Sequence, residues 1–341
     1  MKHVILVGAC YLDTILTVPH YPEEDSKLRA TALQLRRGGN CPNSLEVLAQ
    51  LLTTPPSPTP PLRLHLVSTL PDASSPATRN ILSSFDCGSS SNGDGSGGDG
   101  KSGGIGAIDF SRCLYRAGHD APASSYIIRS SGGRGSRTIV NYNDLPEMTV
   151  GEFEGVVEGF VREGEVGGEG KGEGCWWHFE GRIPETTLQC IRHLRWILPG
   201  STISVEVEKP GREGLVELAA EADVVFYSRS WAESRGHTSP EHCLRAEAAS
   251  SKASLMLCTW GEQGAGALSL PGGEYMHHAA TRSGESISVV DTIGAGDTFV
   301  AGMLYALHAD AWSWGEKLAF AVGLATRKVQ REGFAGLVHV P

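Results

Sequence analysis

Four short apolar runs in the second half of the chain, Trp176–Phe179, Ile203–Val207, Val224–Tyr227 and Leu255–Cys258, constrain its fold more than any other feature. They are too short for ordinary helices, and Leu215, Leu218 and Ala222 recur at helical spacing between two of them. Strands alternating with helices predict an α/β fold built on a parallel, doubly wound sheet. In such sheets ligands sit outside the carboxyl ends of the strands, so the turns that follow each run are where function is sought. Val4–Val7 reads as another buried strand, and Leu62, Leu64 and Leu66 alternate as a further one.

The 341 residues, 40% hydrophobic and 20% charged, can fill a large core in one generous domain or two. A formal net charge of -10 argues against nucleic acid or an anionic membrane as the main partner. Cysteines stand at 10, 41, 87, 113, 175, 190, 243 and 258 without a C-x-x-C pair or metal-ligand spacing to histidine, which predicts reduced thiols and a cytoplasmic setting. Val4–Val7 is too short for the core of a signal peptide, and no run approaches the length of a transmembrane helix.

Three glycine turns carry the chemistry. Asp291-Thr292-Ile293-Gly294-Ala295-Gly296-Asp297 leads into a helix whose Val300, Met303, Leu304 and Leu307 predict one apolar face. Gly294 and Gly296 admit close backbone approach, and first-turn N–H groups form an anion site suited to phosphate. Asp297 beside such a site has two readings: a residue that caps the helix or complements its dipole, or a general base. Arg36-Arg37-Gly38-Gly39-Asn40-Cys41-Pro42-Asn43-Ser44 is a second turn, leading to Leu45, Leu48 and Leu52 on one helical face. Its asparagines offer donors and acceptors together, as sugar hydroxyls require, or serve only as a helix entry. Asp13, just beyond the first strand, is a polyol acceptor or a turn aspartate. Gly261-Glu262-Gln263-Gly264 follows the last strand. Arg137 opens the second strand of a hairpin formed by Tyr126–Ile128 and Thr138–Tyr142 around a glycine-rich loop, Ser130–Ser136. Gly95–Ser102 satisfies the pattern G-x-x-x-x-G-K-S, but no buried strand precedes it and glycine follows, so it reads as a chance match inside a flexible insertion.

The turn at 291–299 resembles the C-terminal signature of the PfkB (ribokinase-like) carbohydrate kinases, and the 36–44 turn resembles the same family's sugar-binding motif. Glu180-Gly181-Arg182 and Ser204–Pro210 extend the likeness. The resemblance implies a three-layer α/β/α sandwich with a small β-sheet lid from about residues 11–37 and 120–145. One kinase domain would span 1–341, with low-complexity insertions at 87–104 and 164–174. It implies ATP with Mg²⁺, and a monovalent cation such as K⁺. Asp297 would be the base, with Gly294, Ala295 and Gly296 as the anion hole. Asp13, Asp25, Gly39, Asn40 and Asn43 would hold the sugar. Arg137 and Gly261, Glu262, Gln263 and Gly264 would lie along the nucleotide. Metal ligands stay open, since the family's common asparagine-x-x-glutamate motif is replaced by Ser228-Arg229-Ser230-Trp231 after Tyr227. The likeness is greatest to members that phosphorylate a ketose, taking fructose to fructose 1-phosphate, with ribose or nucleoside kinases and a catalytically silent sugar sensor as alternatives. It also implies a homodimer through the lid, for which apolar Leu33 and Leu35 in a small strand are the motive.

Overall fold

The computed structural model describes residues 2–53, 59–85, 108–130, 137–164, 171–281 and 287–338, leaving out the Arg137 side chain. The Gly95–Ser102 stretch, residues 131–136 and residues 165–170 lie outside the described residues. The chain runs β1 (Lys2–Val7), β2 (Tyr11–Val18), β3 (Ala32–Gly38), α1 (Asn40–Leu52), β4 (Leu62–Val67), β5 (Thr69–Leu70), α2 (Pro76–Ser83), β6 (Ile108–Asp109), β7 (Leu114–Tyr115), β8 (Ala123–Ser130), β9 (Arg137–Tyr142) and α3 (Val150–Arg162). It continues β10 (Cys175–Phe179), α4 (Pro184–Ile197), β11 (Thr202–Val207), α5 (Leu215–Ala220), β12 (Val224–Tyr227), α6 (Arg229–Ser234), α7 (Pro240–Ala248), β13 (Leu255–Thr259), β14 (Ala265–Ser269), β15 (Glu274–His278), α8 (Ala295–Leu307) and α9 (Trp314–Val329).

The main sheet has the order β15-β14-β13-β12-β11-β10-β1-β4-β6. It is parallel from β13 to β6 and antiparallel at β13–β14 and β14–β15. All four defining runs are strands of it. Their side chains alternate between two buried cores. Ile5, Val7, Trp177, Phe179, Ile203 and Val205 pack on one face with Phe153 and Phe160 of α3 and Ile191 and Leu194 of α4. Val4, Leu6, Leu64, Leu66, Phe226 and Leu257 pack on the other with Leu45 and Leu48 of α1, Leu304 of α8 and Leu324 of α9. Both faces are therefore covered by helices, the three-layer α/β/α arrangement. Each fully buried aliphatic or Phe side chain contributes roughly 1.5–3 kcal/mol relative to exposure. Thr149 with Glu152 and Ser313 with Glu316 form capping boxes that fix where α3 and α9 begin.

Helix α8 differs from its expected single apolar face: every residue from Thr298 to Ala306 is buried. It lies beneath the sheet between α1 and α9, and a Cβ at Gly302 would come within 2.9 Å of Ala321 Cα. A 3.6-residue period marks which residues are apolar; it does not count the neighbours that will cover them.

A second sheet, β3-β2-β8-β9, stands apart as the small lid. The pleat turns Asp13, Ile15, Ser125 and Ile127 to one face, where all are buried. The other face exposes Leu33, Leu35, Tyr126, Val140 and Tyr142.

Candidate active site

Between the lid and the carboxyl ends of β11, β12 and β13 lies a cavity of about 330 Å³. Asp13, Gly39, Asn40, Asn43, Glu206, Glu208, Gly294, Gly296 and Asp297 all line it, gathered from both ends of the chain.

The head of α8 is built around two glycines with different reasons to be glycine. Gly294 caps the helix at φ 79°, and a Cβ there would meet Phe334 Cζ at 2.3 Å. A Cβ at Gly296 would meet nothing within 4 Å, so packing does not demand a glycine there, and its backbone lines the cavity. The N–H of Ala295 is turned to Thr292 O at 3.3 Å, and Ala295 does not line the cavity. Those of Gly296 and Asp297 find no acceptor among the described residues, which narrows the expected anion hole to the second and third amides of the helix.

Asp297 does not cap α8. Its carboxylate accepts a hydrogen bond from Asn43 Nδ2 at 2.7 Å, and its carbonyl accepts one from Ser44 Oγ at 2.9 Å, both on α1. Burial, followed by the charge of Glu206, pushes its carboxyl well above the usual carboxylate range, against the Asn43 hydrogen bond.

The head of α1 is made the same way. Gly39 has φ 105°, and a Cβ there would collide with Ala9 O at 2.1 Å. Pro42 falls in the first turn, where a missing N–H breaks no helical bond, so the asparagines on either side keep helical spacing. Asn40 Nδ2 donates to Glu206 Oε2 at 2.7 Å and also to Glu208. Asn43 Oδ1 accepts from Arg37, which is paired with Glu46. Asn43 is thus bound to the candidate base on one side and anchored on the other.

Asp13 is buried, and burial raises its carboxyl despite a hydrogen bond from Ser125 and the charges of Arg36 and Arg37. Its Oδ1 is buried and has no hydrogen-bond partner among the described residues, and Asp13 lines the cavity.

Asp25 is not brought to the site. It stands exposed at φ 59° in the connection between β2 and β3 and does not line the cavity. That connection carries no buried side chain from 19 to 31, so nothing draws it inward. Gly261–Gln263 forms a 3₁₀ turn after β13, and a Cβ at Gly264 would strike His278 O at 1.9 Å. This turn adjoins the cavity through Thr259 without lining it. Arg137 opens β9 opposite Arg129, and its side chain lies outside the described residues.

The reading of residues alone assigned no role to three carboxylates. Glu206 is pushed up to about 8, first by burial and then by Glu208. Glu180 is pushed up to about 7 by burial, although Ala9 N–H donates to its Oε2 at 2.9 Å. Glu208, a third exposed, pairs with Lys209 at 2.8 Å. Each lies at or just past the carboxyl end of a strand, and that position was the available signal. Behind Glu206, His178 Nε2 lies 2.9 Å from Glu206 Oε1, and burial holds the imidazole down to about 3, so it is neutral.

Asp291 ties the lid to the turn before α8. Its Oδ2 meets Arg36 of β3 at 3.0 Å and the buried Lys328 of α9 at 3.0 Å, and its Oδ1 accepts the Ile293 N–H at 2.9 Å. Burial acts to raise the carboxyl; these partners hold it below its ordinary value.

The chain is similar to known sugar kinases in sequence and to ribokinases in fold. A sequence profile described as "pfkB family carbohydrate kinase" matches residues 182–339. The chain is similar to ketohexokinase of Mus musculus, 30% identical over 345 residues that cover 99% of each chain. In structure it is similar to the ribokinase of Thermotoga maritima, with TM-score 0.70 and 14% identity over 100% of this chain and 97% of that one. An Arabidopsis thaliana ribokinase complexed with ribose and ATP gives TM-score 0.68 and 19% identity over 97% and 94% of the two chains. At such identities these structures establish the ribokinase-like fold.

Proposed function

The chain belongs to the pfkB family of carbohydrate kinases and is an ATP-dependent sugar kinase, and we propose that it phosphorylates a primary hydroxyl of a ketose, converting fructose to fructose 1-phosphate. The ketose reading is supported by likeness to a ketohexokinase along the whole chain. The observation that carries the chemistry is Asp297, a half-buried carboxylate next to Gly296, fixed by Asn43 and sharing its cavity with Asp13.

The steps follow from those groups. Asp13 and Asn40 hold the sugar by its hydroxyls. Asp297 takes the proton of the attacking hydroxyl as its oxygen bonds to the γ-phosphorus of ATP; the bond to the β-phosphate oxygen breaks, ADP leaves, and the proton passes from Asp297 to water. The amides of Gly296 and Asp297 bear charge on the transferring group, and Arg137 adds a cation. Such transfer depends on positioning and electrostatics. A carboxylate pushed above its ordinary range is a stronger base than a free aspartate, and Asn43 fixes its direction.

Mg²⁺ requires hard oxygen donors and keeps several waters. Among the cavity carboxylates, the partly exposed Glu208 fits that demand and would hold the ion, which supplies charge neutralisation at the phosphates. A cytoplasmic setting is supported by the free, buried cysteines among the described residues, none of whose helices is long and apolar enough to cross a membrane. A homodimer is supported by the exposed Leu33, Leu35, Tyr126, Val140 and Tyr142 on one lid face; light scattering at micromolar concentration tests it, and a monomer counts against it.

Following ADP release with fructose, ribose, adenosine and no sugar tests the substrate. Release with fructose well above the others is expected. Preference for ribose or adenosine replaces the ketose assignment, and release with none of them indicates a silent sugar sensor.

A further inference from the structure

Cys41, His178 and Glu206 are far apart in sequence and carry no metal-binding spacing, yet the fold draws them together beside the cavity. Cys41 is the second residue of α1, His178 lies on β10 and Glu206 on β11, all buried. A sulfur, a ring nitrogen and a carboxylate oxygen from the three lie within 4.8 Å of one another. We infer that these side chains form a zinc site that restrains the kinase, separate from the magnesium that accompanies ATP.

The donor set selects the metal. Mg²⁺ takes oxygen ligands, whereas thiolate, imidazole and carboxylate together are a zinc set. With zinc–ligand distances of about 2.0–2.3 Å, a tetrahedral ion needs donors roughly 3.3–3.6 Å apart. Small side-chain adjustments within the cluster reach that spacing, since His178 Nε2 and Glu206 Oε1 are 2.9 Å apart now.

The groups behind the ligands are already in position. A ligating histidine needs a partner for its other nitrogen, and His178 Nδ1 lies 2.8 Å from Ser204 Oγ. Ser204 Oγ also accepts from Trp176 Nε1 at 2.7 Å. Glu206 keeps its second oxygen on Asn40 at 2.7 Å. On binding, the thiol of Cys41 and the carboxyl of Glu206 each give a proton to solvent, and His178 carries its single proton on Nδ1, donating to Ser204 and leaving Nε2 bare. Thiolate and carboxylate together balance the dication, so the buried site is neutral. Three protein ligands leave one coordination position for exchangeable water.

The link to activity runs through Glu206 and Asn40, both on the cavity wall. A dication that pins Glu206 also pins Asn40 through their hydrogen bond, and Asn40 is one of the residues proposed to hold the sugar. The coordination itself does not depend on which sugar is phosphorylated.

Cobalt is the probe. The chelator-treated full chain, titrated with Co²⁺, is expected to take up an ion with a thiolate-to-cobalt charge-transfer band and tetrahedral visible bands, both discharged by Zn²⁺. Cys41→Ala should abolish the charge-transfer band from this site, and Ser204→Ala should weaken Co²⁺ binding by about 10–100-fold. Zn²⁺ should lower turnover of the unmodified chain and leave Cys41→Ala far less affected. An identical cobalt spectrum and affinity in Cys41→Ala, or no thiolate band in the unmodified chain, overturns the site. Equal zinc inhibition of both proteins overturns its link to the kinase.

Discussion

Replacing Asp297 by Asn separates the two readings that its sequence position leaves open. The side-chain carbonyl of the introduced amide can accept the Asn43 N–H that Asp297 Oδ2 now accepts at 2.7 Å, and Ser44 binds the backbone carbonyl, which is unchanged. The half-buried carboxylate is held well above its ordinary range by desolvation and by Glu206, so a neutral amide removes a penalty rather than a support. The melting temperature should hold or rise. ATP affinity should also hold or tighten, because one negative charge leaves a cavity that still contains Glu206 and Glu208. Turnover should collapse, because a positioned general base is worth about 10²–10⁴-fold, or roughly 3–5 kcal/mol of transition-state stabilisation. Coupled ADP release, calorimetric ATP titration and thermal melting on one preparation read all three quantities. More than about a tenth of the original turnover, against the 10²-fold minimum for a lost base, refutes the assignment. A lowered melting temperature with normal turnover means that the carboxylate acts structurally, through the Asn43 hydrogen bond or the helix dipole, and not as a base.

Gly296→Ala should leave the melting temperature nearly unchanged and raise KM for ATP, since its Cβ meets no protein atom within 4 Å; unaltered ATP kinetics would remove Gly296 from the anion hole. Gly302→Ala should do the opposite, costing about 1–3 kcal/mol by driving a Cβ to 2.9 Å from Ala321 Cα, with the loss read by urea unfolding. Glu180 and Glu206, pushed up to about 7 and about 8, bind protons more tightly folded than unfolded, so the stability they lend below the ordinary carboxylate range is lost as pH rises through those values. His178 and His65, held down to about 3 and about 4, lose stability only below about pH 6.5, the unfolded histidine value. Between about pH 6.5 and 8 the chelator-treated apoprotein should therefore melt lower as pH rises, and Glu206→Gln should flatten the slope; melting that rises across this window contradicts the burial argument. Lys101→Ala should leave KM for ATP unchanged, and a large increase would revive the phosphate-loop reading of Gly95–Ser102.

The layers were legible because their cause is local. Strand runs such as Val4–Val7 and Val224–Tyr227 are apolar on both pleat faces, and only a sheet covered on both sides buries them. The glycines at 39 and 294 were legible for a similar reason: positive φ and close neighbours leave a residue little choice. The environment of α8 was not, because the same apolar residues suit a helix covered on one side or on all sides.

Polar partnerships escaped the sequence for a different reason. Asn43 reads as a donor and acceptor wherever it stands; only the docking of α1 against α8 turns its Nδ2 to Asp297, while Arg37 takes its Oδ1. Glu206 near the end of β11 and Glu208 just past it share Asn40 from 166 and 168 positions away. Such groups are chosen by what desolvation leaves them facing, which is a property of the packed chain. This places the carboxylates' raised proton affinity on the level of the tertiary fold. A base made strong by burial among other acids is silent until phosphate, metal and sugar arrive to exploit it. Once Glu206 ionises, the strength of this base is therefore governed by that charge as well as by its own position at the head of α8. Glu206→Gln should accordingly shift the acid limb of kcat/KM to lower pH, as expected when one neighbouring negative charge is removed from a buried carboxylate. A limb that stays in place would mean that burial alone sets the base.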